Sequence, residues 1–154
     1  MCTCVAMKTQ DVYFGRTMDI DYRFGERVVV TPRNYSFALK NGESFETWYA
    51  MVGMASVMDG YPLYAEATNE KGLSIAGLNF PGNAYYGEPV PGRLNLTPYE
   101  LIPWAMGNFA TIAELRRELK NVWLTNQPFA KNLPLAQLHW MISDGEQSLV
   151  VEQT

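Results

Sequence analysis

Residues 97–121 run TPYELIPWAMGNFATIAELRRELKN, and they set the fold class because they place two helix starts in succession inside a chain that otherwise reads as strands. Thr97-Pro98-Tyr99-Glu100 supplies an N-cap hydroxyl, a first-turn proline and a Glu at capping-box spacing. Leu101, Ile102, Trp104 and Ala105 give that helix a buried face up to Gly107-Asn108. Thr111-Ile112-Ala113-Glu114 repeats the device, and the second helix carries on to Lys120-Asn121. Two capped helices in a row predict an αα-hairpin packed on a sheet.

The strands lie on either side of this pair. Cys2 to Met7 is a short apolar run ended by Lys8-Thr9-Gln10-Asp11, and Val12 to Phe14 resumes it before Gly15, which predicts an opening hairpin. Arg27 to Thr31 is β-branched and stops at Pro32. Trp48 to Val57 is apolar almost throughout and predicts a strand covered on both faces. Tyr61 to Thr68 and Leu73 to Phe80 flank Asn69-Glu70-Lys71-Gly72, whose glycine suits a tight connection. Residues 81–96 hold Pro81, Gly82, Gly87, Pro89, Pro91 and Gly92 and predict a long exposed loop. Leu138 to Ile142 and Ser148 to Glu152 predict a last hairpin around Ser143-Asp144-Gly145-Glu146. Strands, a helix pair and strands again make an α+β layered arrangement, with no repeat or linker dividing residues 1–154, which are therefore expected to form one domain.

Composition narrows the function classes. With 154 residues, 47% of them hydrophobic, the chain can bury a core without disulfides or a structural metal. Twelve Lys and Arg stand against 16 acids and form no basic run, which argues against nucleic acid as a partner. No stretch reaches the roughly 18 apolar residues of a spanning helix. Neither a membrane partner nor a secretory signal is read, so a cytoplasmic location is the expectation. Cys2 and Cys4 are too few for a disulfide framework, and their interest is chemical.

Cys2 is the most informative residue. A small residue at position 2 permits removal of Met1, and the chain would then begin with a thiol and a free α-amine whose pKa is roughly 7.7–8.0. Such an amine can take the thiol proton, so nucleophile and base would share one residue. The plain alternative is two small apolar side chains on one face of the first strand. Phe14-Gly15-Arg16-Thr17-Met18-Asp19-Ile20-Asp21 follows the strand that would pair with the first. Arg16 could favour the thiolate and Asp19 could orient the amine, or the two could be a surface ion pair at a strand end. Two carboxylates without His nearby are a weak metal signal. Asn79, at the end of a strand, is either an oxyanion donor or an ordinary turn residue. His139, inside Leu138-His139-Trp140-Met141-Ile142, reads as a core residue rather than a catalyst.

Taken in order, Cys2-Thr3, Phe14-Gly15-Arg16-Thr17-Met18-Asp19, Asn69-Glu70-Lys71-Gly72-Leu73, Ala76-Gly77-Leu78-Asn79-Phe80-Pro81, and Leu138-His139-Trp140-Met141-Ile142-Ser143-Asp144 with Val150-Val151-Glu152 resemble the choloylglycine hydrolase family. That family holds bile salt hydrolases and penicillin V acylases. The resemblance implies an N-terminal-nucleophile hydrolase with an αββα sandwich, acting without cofactor or metal on the amide between a bile acid and glycine or taurine. A penicillin V acylase-like amidase and an inactive bile-acid-binding remnant are the alternatives. By the same resemblance Cys2 would be the nucleophile and its amine the base, Arg16 and Asp19 would support them, and Asn79 would help form the oxyanion hole. Phe80, Tyr85 and Tyr86 would belong to an apolar wall against the steroid, and the full-length protein would be a homo-oligomer.

Family members are roughly twice as long, and their second half supplies another Asn, in a Leu-Thr-Asn-x-Pro motif, and a later Arg. The sandwich is therefore expected to be incomplete here, whether the chain is an excerpt, a cleavage fragment or a truncated gene product. Leu124-Thr125-Asn126-Gln127-Pro128 imitates the motif but precedes Leu138-His139-Trp140, where the family places it afterwards, and is read as a decoy.

Overall fold

The computed structural model describes residues 2–21 and 23–154; the predicted loss of Met1 concerns a residue outside them. In chain order the elements are β1 (Cys4–Lys8), β2 (Val12–Arg16), β3 (Arg27–Thr31), β4 (Ser36–Ala38), β5 (Ser44–Glu46), β6 (Met51–Met58), β7 (Tyr61–Tyr64), β8 (Glu66–Asn69), β9 (Ser74–Asn79), β10 (Leu94–Leu96), α1 (Leu101–Asn108), α2 (Ile112–Leu119), β11 (Val122–Leu124), β12 (Leu138–Ser143) and β13 (Ser148–Val151). A seven-stranded sheet runs β13-β12-β9-β8-β6-β3, with β7 also on β6, and all its pairings are antiparallel. The three predicted hairpins form, β1 with β2, β8 with β9 and β12 with β13. Gly72 makes the middle one possible at φ 86°.

The helix pair covers one face of this sheet, with α1 packed on β8 and β9. Residues Leu101 to Gly107 of α1 are all buried, as expected of a helix apolar on every side. Pro103 is tolerated because its missing N–H falls in the first turn, where donors have no helical partner. The first capping device works only in part. Glu100 takes the Thr97 N–H at 2.7 Å, but Thr97 to Glu100 form a turn and the helix begins at Leu101. At α2 the Thr111 hydroxyl accepts from Glu114 N at 3.3 Å, and Asp144 from the last hairpin accepts from Ile112 N at 3.0 Å. That carboxylate at a helix N-terminus also complements the dipole. Trp140, Ile142, Ile75, Leu73, Leu101, Ile102, Met106, Ile112 and Leu115 make the core between helices and sheet.

Among the described residues the other face of the sheet is covered by the β1–β2 hairpin, which lies over β8, β9 and the turn after β12, and in part by the segment after β2, whose Phe24 O accepts from Ser56 of β6. Arg16 reaches Gly77 and Glu66, and Val12 sits against Gly145. Beyond the hairpin Val28, Val30 and Val52 are 78%, 68% and 45% exposed. The expectation that residues 48–57 are covered on both faces therefore fails: the helix side of β6 is closed, while on its other face Met54 and Ser56 are half-buried and Val52 is exposed. The residues build one helix layer, one sheet and a two-stranded piece on its far face, a sheet-rich α+β arrangement and an incomplete version of the four-layer sandwich. The loop over residues 81–96 is also less irregular than its prolines suggest, because Leu94 to Leu96 pair in parallel with β11.

The sheet carries one irregularity beside the hairpin. Ala55 pairs with Tyr64 but Val52 pairs with Thr68, so Gly53 and Met54 of β6 face three residues, Ala65, Glu66 and Ala67. This is a β-bulge, and it switches the phase of the alternation. Tyr64 and Ala67 both enter the core, while Glu66, which regular alternation would put beside Tyr64, turns to the opposite face. Gly53 is required there, since a Cβ on it would lie 2.0 Å from the Glu66 carbonyl oxygen.

Candidate active site

The start of the chain is tied to the segment after β2. Thr17 donates its N–H to Thr3 O at 2.8 Å, Thr3 N–H donates to the Thr17 hydroxyl at 3.0 Å, and that hydroxyl donates to Asp19 Oδ2 at 3.2 Å. The extended geometry of β1 thus continues back to residue 2. Thr3 and Val5 are exposed while Cys2 and Cys4 are half-buried, the alternation expected when both thiols face inward. Cys4 pairs with Arg16 across the hairpin, so the guanidinium lies on the same side as both thiols.

Arg16 is enclosed between the hairpin and the sheet, with its side chain only 4% exposed. Nη2 donates to Gly77 O at 2.8 Å, and Nε lies 3.9 Å from Glu66 Oε2. Nε and Nη1 have no hydrogen-bond partner among the described residues. A buried cation with donors to spare creates a strong local positive field. The Cys4 thiol registers it: burial pushes its pKa up, and Arg16 opposes that rise.

The other predicted site residues are spread along the edge of the sheet and the far loop. Asn79 is exposed at the end of β9, paired with Leu138 and two residues beyond the carbonyl that Arg16 holds. Phe80 stacks on His139, with ring centroids 4.5 Å apart. His139, read as a core residue, is half-buried with Nδ1 3.3 Å from Glu152 Oε1. Tyr85 is exposed and packs edge-on to Trp123. The Tyr86 hydroxyl accepts from Leu138 N at 2.8 Å and so fixes the start of β12. Asn126 of the Leu124–Pro128 segment donates to Glu88 Oε1 at 2.9 Å, while Leu124 belongs to β11, which pairs with β10.

Three features were missed in the sequence. Thr17 links Asp19 to the chain start. Glu66 approaches Arg16 only because of the bulge, although an acid inside an otherwise apolar strand was a visible signal. The third is an open groove of about 400 Å3, lined by Met18, Ile20, Asp21, Arg23, Glu26 and Met54. It adjoins the Arg16–Asp19 segment, and its methionines and isoleucine make an apolar wall. No cluster of metal-ligating side chains occurs among the described residues.

Residues 2–154 match the family model described as linear amide C-N hydrolases, choloylglycine hydrolase family. The chain belongs to this family. Over 152 residues it is 40% identical to a bile salt hydrolase/transferase from Lactiplantibacillus plantarum, a match covering 99% of this chain and 47% of that protein. A conjugated bile acid hydrolase from Lactobacillus gasseri is 41% identical over 99% of this chain and 49% of its own length. The chain thus spans about half the length of these relatives. A solved mutant of conjugated bile acid hydrolase from Clostridium perfringens superposes with a TM-score of 0.94 and 41% identity, covering all of this chain and 48% of that one. Penicillin V acylase from Agrobacterium tumefaciens shares the fold, with a TM-score of 0.75 at 22% identity.

Proposed function

We propose that this chain carries the nucleophile-bearing half of an enzyme that hydrolyses the amide bond joining a bile acid to glycine or taurine, with Cys2 as the nucleophile. The observation that carries the reading is the buried Arg16 guanidinium, two of whose nitrogens lack described partners, on the side of the hairpin where Cys2 and Cys4 both face. A fixed cation there favours thiolate over thiol. Family membership and relatives named as bile salt or conjugated bile acid hydrolases supply the reaction class.

In this mechanism removal of Met1 frees the α-amine of Cys2, which takes the proton from its own thiol. The sulfur attacks the amide carbon, and the carbonyl oxygen becomes an oxyanion that the Asn79 side-chain amide can meet with an N–H. The ammonium then returns its proton to the departing nitrogen, the C–N bond breaks, and glycine or taurine leaves behind a thioester. Water, deprotonated by the same amine, attacks the thioester; the C–S bond breaks and the free bile acid departs. Asp19 acts from beside the chain start, through Thr17 to Thr3. The apolar side chains of Met18, Ile20 and Met54 suit one face of a steroid, while Phe80, Tyr85 and Tyr86 border the site from the far loop.

The test is acid quenching during turnover of a conjugated bile salt, followed by mass spectrometry. The expected result is a hydroxylamine-sensitive bile-acyl adduct on a peptide that begins at Cys2, diminished by Arg16→Ala. Equal turnover by protein that retains Met1 would overturn the mechanism.

A further inference from the structure

The β-bulge at Ala65 to Ala67 lets Tyr64 and Ala67 both enter the core, and by the same phase switch it takes Glu66 out of the core side of β8 and sets it against Arg16. Gly53 is committed to the same feature, because any side chain there would collide with the Glu66 carbonyl. Bulges recur where a strand must re-aim one side chain beside a functional site. The carboxylate it aims is 31% exposed and lies 3.9 Å from Arg16 Nε, too far for a hydrogen bond and close enough for an ion pair. Its effect on Arg16 is thus exerted through charge, while Gly77 O holds the guanidinium in place.

We propose that Glu66 is a positioning residue that moderates the positive field of Arg16 at the Cys2 thiol. This rests on the reading of Cys2 as nucleophile and Arg16 as its supporting cation. Among the described residues, the titratable and charged groups that interact with Arg16 are Cys4 from β1 and Glu66 from β8, and Asp19, from the segment after β2, accepts from the Thr17 hydroxyl. His139 and Glu152 lie on the same face of the sheet as Glu66, on β12 and just after β13, and pair with each other. Glu66 is the group that offsets the guanidinium from the sheet side. The Cys4 thiol shows both signs, lowered by Arg16 and raised by Glu66, beneath the larger effect of burial.

A side chain half-neutralised in this way has a purpose in a one-residue nucleophile and base. The amine must accept the thiol proton and later return it, and an unmoderated cation would hold the sulfur as a thiolate too stable to attack well or to reform the thiol. The bulge therefore sets the operating range of the nucleophile.

The experiment measures iodoacetamide alkylation of Cys2 against pH in the Met1-processed protein, on a Cys4→Ser background so that one thiol reports. The parent, Glu66→Gln, Glu66→Asp and Arg16→Ala are compared, with melting temperatures recorded for each. Glu66→Gln is expected to raise the alkylation rate at pH 7 by roughly three- to tenfold, because the charge opposing Arg16 is removed. Glu66→Asp, which keeps the charge, should stay near the parent, and Arg16→Ala should slow alkylation. If Arg16→Ala shifts the profile but Glu66→Gln leaves it on the parent curve or moves it upward, the role of Glu66 is overturned while the reading of the site stands. If Arg16→Ala leaves the profile unmoved, the reading of the site fails and the role of Glu66 falls with it. A melting temperature unchanged in Glu66→Gln separates the charge effect from damage to the sheet.

Discussion

Replacing Gly53 with alanine tests whether the bulge is an essential part of the fold. The new Cβ would lie 2.0 Å from Glu66 O, 2.7 Å from Ala67 Cα and 2.9 Å from Ala67 Cβ, whereas Cβ atoms essentially never come within 3.0 Å of such neighbours. The obstacle is backbone, which cannot swing aside as the end of a side chain can. Relieving the closest contact requires β6 and β8 to part by roughly 1 Å, against a normal strand spacing of about 4.8 Å. The hydrogen bond from Ala65 N to Met54 O, now 2.9 Å, would then be lost. Overpacking of this kind costs about 3 kcal/mol at the upper end of its usual range. For a chain of this size the melting temperature should fall by roughly 6–12 °C. Circular dichroism melts of Gly53→Ala beside Gly15→Ala make the measurement specific. Gly15 has nothing within 4 Å of a built Cβ and no positive φ, so its alanine variant should melt near the parent. A Gly53→Ala protein that melts within a degree or two of the parent would refute the reasoning, since the strands would then have room that the geometry denies.

Two further outcomes concern the turn after β8 and its neighbours. Asn69→Ala should destabilise by about 3 kcal/mol in urea unfolding, because the buried amide donates to Met106 O and Phe109 O and accepts from Lys71 N and Leu73 N, tying the β8–β9 turn to the helices. The Glu70 carboxyl is held at a pKa of about 2, below its ordinary 4.5, first by the Arg33 side chain and then by the Ala50 N–H. Its contribution to stability is therefore complete above pH 4.5 and disappears as pH falls through 2. The stability gap between the parent and Arg33→Ala should be small, weaken with salt, and close across that acid window; a gap that widened on acidification would show that Arg33 acts through something other than Glu70.

The succession of elements and the motifs were legible without coordinates. A β-branched run stopped by Pro32 marked β3, apolar runs around the Ser143–Glu146 turn marked β12 and β13, the Gly72 turn marked the β8–β9 hairpin, and the Thr111 cap marked α2, because each depends on local backbone preference. The family could be named from the separated motifs that begin at Cys2 and end at Glu152. Coverage was beyond the reach of sequence: an apolar run such as residues 48–57 looks the same whether its second face meets a partner layer or water. The short strands β10 and β11 were hidden for a related reason, since their pairing joins segments distant in the chain. Tertiary packing was needed to place Arg16 beneath the thiols, because that depends on the hairpin lying down on a sheet built from later residues. It also settled Glu66, whose orientation arises from a one-residue mismatch between two paired strands, and a register is a property of the pair that neither strand carries in its own sequence.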